Sequence, residues 1–241
     1  LLNSPQMAEA PVPAIIKFSE LLHLFGQTQA AIDLLNKTNI KCSGSLIYHL
    51  KLASYFEAQK KYDSIISLLT GISDQFPGQK KIYYLLAETY LNQKDQLNAA
   101  KTIQNGLAVD ENNDLFWIQL GDLELLKGEL KKAITMYEQA LTYRKADTAY
   151  RKMGLALFKQ GSISDTKTFL NQALEFNRNS DLNHYYLSKI LLQEENLVAA
   201  RRHIQFALAK NRYQVSYWEL AKTIFSKLKM NHQEAICEQQ L

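Results

Sequence analysis

A small residue returns along this chain every 33 or 34 positions. Ala53, Ala87, Gly121, Gly154, Ser188 and Ala221 are spaced 34, 34, 33, 34 and 33 residues apart. Each follows a bulky apolar residue, in turn Leu52, Leu86, Leu120, Met153, Leu187 and Leu220. A second small residue recurs at Ala31, Ala99, Ala133 and Ala200, and a third at Gly106, Ala140, Ala173 and Ala207. A period of this length marks a helical solenoid, in which each unit buries its apolar face only by stacking on the next. The 241 residues would otherwise permit one or two globular domains. The repeat replaces that expectation with one continuous stack.

Within one period the apolar residues follow helical spacing. Leu115, Ile118 and Leu125 share a face, and after a break at Gly128-Glu129 so do Leu130, Ile134, Tyr137 and Leu141. The pattern predicts two amphipathic helices joined by a tight turn. Gly128 and Gly161 suit the left-handed conformation that ends a helix, whereas Lys60, Lys94 and Glu195 at the same register fit it less comfortably. Gly121 should let the second helix of its pair approach closely. Tyr137, with Leu69, Ile103, Leu170 and Ile204 in the same register, should plug the space between repeats. Asp114, Asp147 and Asp181 stand where three first helices begin and are expected to cap them.

These residues carry a resemblance. Trp117, Leu120-Gly121, Gly128, Ala133, Tyr137 and Ala140 resemble the signature of a tetratricopeptide repeat in order and spacing. Tyr150, Met153, Gly154, Gly161 and Ala173 match it in the next unit, as do Tyr83, Leu86, Ala87, Tyr90 and Ala99 in an earlier one. The resemblance implies an all-α, right-handed superhelical solenoid of antiparallel helix pairs, about seven repeats long. Expected boundaries are a linker at 1–11 and a solenoid at 12–241, with repeats near 12–45, 46–79, 80–113, 114–146, 147–180, 181–214 and 215–241. The chain opens at Leu1 with Pro5, Pro11 and Pro13 close behind, which reads as an excised domain or a mature chain keeping part of a linker.

Sites for chemistry are missing from the sequence. His23, His49, His184, His203 and His232 show no HExxH or i, i+4 pairing, so no metal site is expected. Neither a phosphate-binding glycine loop nor a nucleophile elbow occurs, and Glu194-Glu195 point about 100° apart. No catalytic residue and no cofactor is assigned. Cys42 and Cys237 lie at opposite ends of the chain and are expected to be free thiols.

Charge is divided unevenly. Residues 1–120 hold 10 lysines, no arginine and 11 acids, a net of −1, whereas residues 121–241 hold 12 lysines, all six arginines and 13 acids, a net of +5. That is too sparse for phosphate-backbone recognition, and no nucleic-acid partner is expected. No run of 18 apolar residues occurs, so no membrane span is expected.

The resemblance implies that ligands lie along the first helix of each pair. Register then selects Glu57, Tyr84, Glu88, Ile118, Asp122, Leu125, Arg151, Phe158, Lys159, Tyr185 and Lys189 as a partner-binding groove. Its acids (Glu57, Glu88, Asp122) precede its bases (Arg151, Lys159, Lys189), with apolar and aromatic residues between them. A groove of this kind binds a peptide segment or helix: apolar contacts supply affinity and charge sets direction. The Lys and Asn with which one branch of the family clamps chaperone C-termini are missing. The expected function is therefore a non-enzymatic protein-binding scaffold. A composition rich in Ile, Lys, Asn and Gln fits a low-GC bacterial genome, and similar bacterial proteins assist secretion, pilus or envelope assembly. On that reading the compartment is the cytoplasm or the periplasm. Self-association through the end repeats, or a regulatory or targeting role within a longer enzyme, are the competing expectations.

Overall fold

The computed structural model describes residues 10–241, and every regular element among them is a helix. The expected linker at 1–11 lies largely outside the described residues. Contacts group the chain into two compact units that divide between Asn112 and Asn113.

In the first unit, α1 (Val12–Leu24) pairs with α2 (Thr28–Lys37), and the short α3 (Asn39–Cys42) follows. Then come α4 (Leu46–Ala58) with α5 (Tyr62–Ser73), and α6 (Lys80–Asn92) with α7 (Gln96–Val109). The second unit holds four pairs. These are α8 (Asp114–Leu126) with α9 (Leu130–Tyr143), α10 (Asp147–Gln160) with α11 (Ile163–Phe176), α12 (Asp181–Gln193) with α13 (Leu197–Lys210), and α14 (Val215–Lys227) with α15 (Asn231–Gln240).

The turns inside the pairs take the expected conformation. Gly26, Gly128 and Gly161 have φ of 76°, 82° and 91°, and the same left-handed geometry is forced on Lys60, Lys94, Glu195 and Lys229 at 55–59°. A side chain there costs roughly 1–2 kcal/mol in local strain, which the packed helices on either side must offset. Capping differs from expectation by one residue. Asn113 and Ser180 are the caps, their side-chain oxygens accepting from the amides of Leu115 (3.1 Å) and Asn183 (3.2 Å). Asp114, Asp147 and Asp181 stand inside the first turn, where a carboxylate still favours the positive end of the helix.

The recurring small residues mark the closest helix contacts. A Cβ added to Gly121 would lie 2.3 Å from Cε1 of Tyr137, so only glycine admits that ring. Ser188 fills the same register while fully buried, and its hydroxyl donates to the carbonyl of Ala200 at 2.8 Å. Leu69, Ile103, Tyr137, Leu170 and Ile204 are all completely buried, as their register predicts. Each such side chain contributes on the order of 1.5–3 kcal/mol of apolar burial.

Candidate functional site

In the first unit, α4 and α6 are successive first helices. Leu50, Ala53, Ser54 and Glu57 form one stripe of α4, and Lys81, Leu85, Glu88 and Thr89 form one stripe of α6. The two stripes, with Ile65 of α5, line an open cavity of about 190 Å³. Sequence register therefore brings Glu57 and Glu88 to one place. Lys81 and Leu85, absent from the expected groove, complete it; their i, i+4 spacing ahead of Thr89 was the available signal. Tyr84 is half-buried and lies outside the cavity lining, with the Lys81 ammonium 4.7 Å from its ring centre.

In the second unit the register places the groove residues in three different environments. Ile118 is only 5% exposed, packed among Ala133, Tyr137, Ala140 and Met153, and so belongs to the core instead of offering an anchor to a ligand. Leu125 packs half-buried against the same cluster. Asp122 is occupied within the fold. The hydroxyl of the fully buried Tyr137 donates to its Oδ1 at 2.7 Å, and Lys152 Nζ lies 2.8 and 2.9 Å from its two oxygens. Burial pushes the Tyr137 phenol far up from its ordinary pKa, and the neighbouring Asp122 charge and hydrogen bond add to the shift. Asp122 thus ties α8 to its own partner helix and to the next first helix, α10. Lys152 was not foreseen as a member of this site.

Phe158 is half-buried against Leu170, Leu187 and Ile190, while Lys159 and Lys189 are exposed. Arg151 is half-buried, and its Nε has no hydrogen-bond partner among the described residues. Tyr185 stacks on Tyr217 with ring centres 4.9 Å apart, and Tyr217 donates to Asp181 Oδ2 at 3.0 Å. Lys152, Lys159 and Lys189 thus stand with Arg151 on α10 and α12, and the one groove carboxylate of this unit already holds a lysine.

The histidines are less scattered than their spacing suggests. His184 of α12 and His203 of α13 meet with their Nδ1 atoms 2.8 Å apart, and Phe206 lies 4.0 Å from the His184 ring. The second nitrogen of His184 is 3.2 Å from the Arg178 carbonyl, which makes that nitrogen the donor and leaves Nδ1 to accept from His203. Burial lowers the pKa of both rings, that of His203 to about 4 with help from His184 and Arg202. Among the described residues no group of three or more His, Cys, Asp or Glu is placed to hold a metal ion. Cys42 and Cys237 are free and buried. No helix of the described residues is long and apolar enough to cross a membrane.

Comparison with known proteins agrees with this architecture. The tetratricopeptide repeat family model matches residues 80–113 and 116–147. Mouse tetratricopeptide repeat protein 21B is 28% identical over 153 residues, which is 63% of this chain and 12% of that protein. The chain therefore spans about an eighth of the length of that curated relative. Among solved structures, a tetratricopeptide repeat protein from Parabacteroides merdae superposes with a TM-score of 0.76 at 13% identity, covering 88% of this chain and 83% of that one. PilW, a type IV pilus biogenesis factor, superposes with a TM-score of 0.67 at 17% identity, covering 80% and 90%. Identities this low speak for the fold alone.

Proposed function

We propose that this chain, built of tetratricopeptide-type repeats, is a non-enzymatic scaffold holding a peptide segment or helix of a partner protein against its first helices. The observation that carries this reading is the surface of those helices. Tyr84, Phe158 and Tyr185 are each half-buried, and charged residues stand beside them on the same helices. Partly buried aromatic side chains supply contact area at little entropic cost, and neighbouring charges set orientation.

Charge placement gives each unit its own preference. Basic residues of a segment suit Glu57 and Glu88 in the first unit, and acidic residues suit Arg151, Lys159 and Lys189 in the second. Asp122 drops out of the expected acidic set because Lys152 and Tyr137 already hold it. With Ile118 in the core, the apolar anchor is Phe158. A place in bacterial secretion, pilus or envelope assembly, in the cytoplasm or periplasm, is the finer part of the proposal. Composition and a fold shared with a pilus factor support it.

Photo-crosslinking tests the reading. A crosslinking residue at position 158 or 189 should capture a partner polypeptide, whereas one at position 131 or 175, exposed on second helices, should not. Capture from the second helices only would overturn it. Self-association is the second reading, favoured by a cavity between Leu208, Trp218, Phe225 and the 40%-exposed Ile236 near the end of the chain. Sedimentation that stays independent of concentration would exclude it.

A further inference from the structure

The loops that lead into α10, α12 and α14 share a pattern. An arginine stands three residues ahead of each helix, and Arg144, Arg178 and Arg212 are spaced 34 and 34 residues apart. With Lys145 and Lys210 they put five cations into residues 143–146, 176–180 and 210–214, where no Asp or Glu occurs. All five are exposed, and among the described residues no carboxylate pairs with any of them. The acids that open two of the next helices have other partners. Asp147 accepts from Asn177 Nδ2 at 3.3 Å, and Asp181 accepts from the Tyr217 hydroxyl at 3.0 Å. The net charge of +5 over residues 121–241 hides this edge, because all 13 acids lie outside the three loops.

Each loop also carries an aromatic side chain. Tyr143 is 37% exposed, Phe176 51% and Tyr213 81%. Tyr143 stacks on Trp117 with ring centres 6.1 Å apart, and Phe176 on Tyr150 at 5.4 Å, so neighbouring rings hold both in place. The Arg212 guanidinium lies 5.1 Å from the Tyr213 ring centre and donates once to its hydroxyl, at 3.2 Å. Its other N–H donors stay unspent. The backbone under two of the arginines is pinned from six residues downstream. His184 Nε2 is 3.2 Å from the Arg178 carbonyl, and Trp218 Nε1 donates to the Arg212 carbonyl at 2.7 Å. Because each helix pair packs on the next, the three loops follow one another along one edge of this unit.

Arginine holds phosphate through paired N–H···O bonds, and an aromatic ring beside it offers a base a stacking platform. A row that repeats both matches a polymer that repeats a phosphate and a planar base. An acidic peptide repeats the charge without the ring, and a duplex keeps its bases stacked on one another. We propose that this loop edge binds single-stranded nucleic acid, with phosphates on Arg144, Arg178 and Arg212 and bases on Tyr143, Phe176 and Tyr213. It uses none of the residues given to the partner segment and stands apart from that function.

Fluorescence anisotropy of the full chain with labelled oligouridine of about 12 nucleotides tests this over a series of salt concentrations. Binding should weaken steeply as salt rises. Oligoglutamate and a duplex of the same length should compete at least about tenfold less well than unlabelled oligouridine. The triple variant Arg144→Gln, Arg178→Gln, Arg212→Gln should flatten the slope of log Kd against log salt by about 2, three phosphates at about 0.7 each. Tyr213→Ala should weaken binding about tenfold and leave that slope unchanged. A lower Kd for oligouridine than for oligothymidine would assign the edge to RNA, and the reverse to DNA. The competitor series uses the unaltered chain, so it stands even if a variant misfolds. No binding at low salt would overturn the proposal, as would an unchanged slope in a triple variant that keeps its melting temperature. Oligoglutamate competing as well as oligouridine would overturn it in favour of an acidic peptide.

Discussion

Glu88 and Asp122 are 34 residues apart, at the same register of successive first helices, yet they serve different ends. Glu88 lines an open cavity with Glu57, whereas Asp122 is held by Tyr137 and Lys152. What holds Asp122 lies 15 and 30 residues downstream of it. Asp122 is followed there by Tyr137 and Lys152, which supply a hydroxyl and an ammonium. The residue 15 positions after Glu88 is Ile103, a fully buried apolar plug. The identity of that plug thus decides whether the second helix of a pair offers a hydroxyl to the acid on its first helix.

The largest test removes the contact that makes the Asp122 arrangement possible. Gly121→Val should cost about 3 kcal/mol, because its Cβ would lie 2.3 Å from the Tyr137 ring and push the hydroxyl off Asp122. Urea unfolding measures this, and an unchanged midpoint would mean the ring is not pinned. Next, Asp122→Ala should cost about 2 kcal/mol by leaving a buried phenol without its acceptor, whereas Glu57→Ala, at an exposed position, should stay within about 0.5 kcal/mol. Equal losses would erase the distinction between the two acids.

A smaller effect separates the turns. Lys94→Gly should stabilise the chain by about 0.5–1 kcal/mol, relief of left-handed strain less the added freedom of the unfolded chain. Gly161→Lys should lose a similar amount, and thermal melts of both would show opposite signs if the strain is real. The smallest effect comes from the histidine pair. The folded pKa of His203 is held at about 4, below the ordinary value of 6.5, so the neutral form is favoured on folding. Its stabilisation is complete above the ordinary value and is lost as pH falls through the folded one. The melting temperature should therefore decline by a few degrees between pH 7 and pH 4, and His203→Asn should flatten that decline.

Repeats were legible in the sequence because their causes are local. The small residues at Gly121 and Ser188, the plugs at Tyr137 and Leu170, and the left-handed turns at Lys60 and Gly161 each follow from spacing within one period. The site was legible only in part. Glu57 and Glu88, selected by register, line one cavity, but register could not reveal that Ile118 is buried, because one face of a first helix serves both core and surface. The Asp122–Lys152 pair spans 30 residues, and the His184–His203 contact joins two helices 19 residues apart in sequence. Neither shows as a motif within a single helix.

The central claim is that a partner segment lies along the first helices. Amide hydrogen exchange of the full chain, with and without a peptide selected from a randomised display library, tests it most directly. Exchange should slow in Leu50–Glu57 of α4 and Lys81–Thr89 of α6 and stay unchanged in α5 and α7. Protection confined to α5 and α7, at equal occupancy of the peptide, would contradict it.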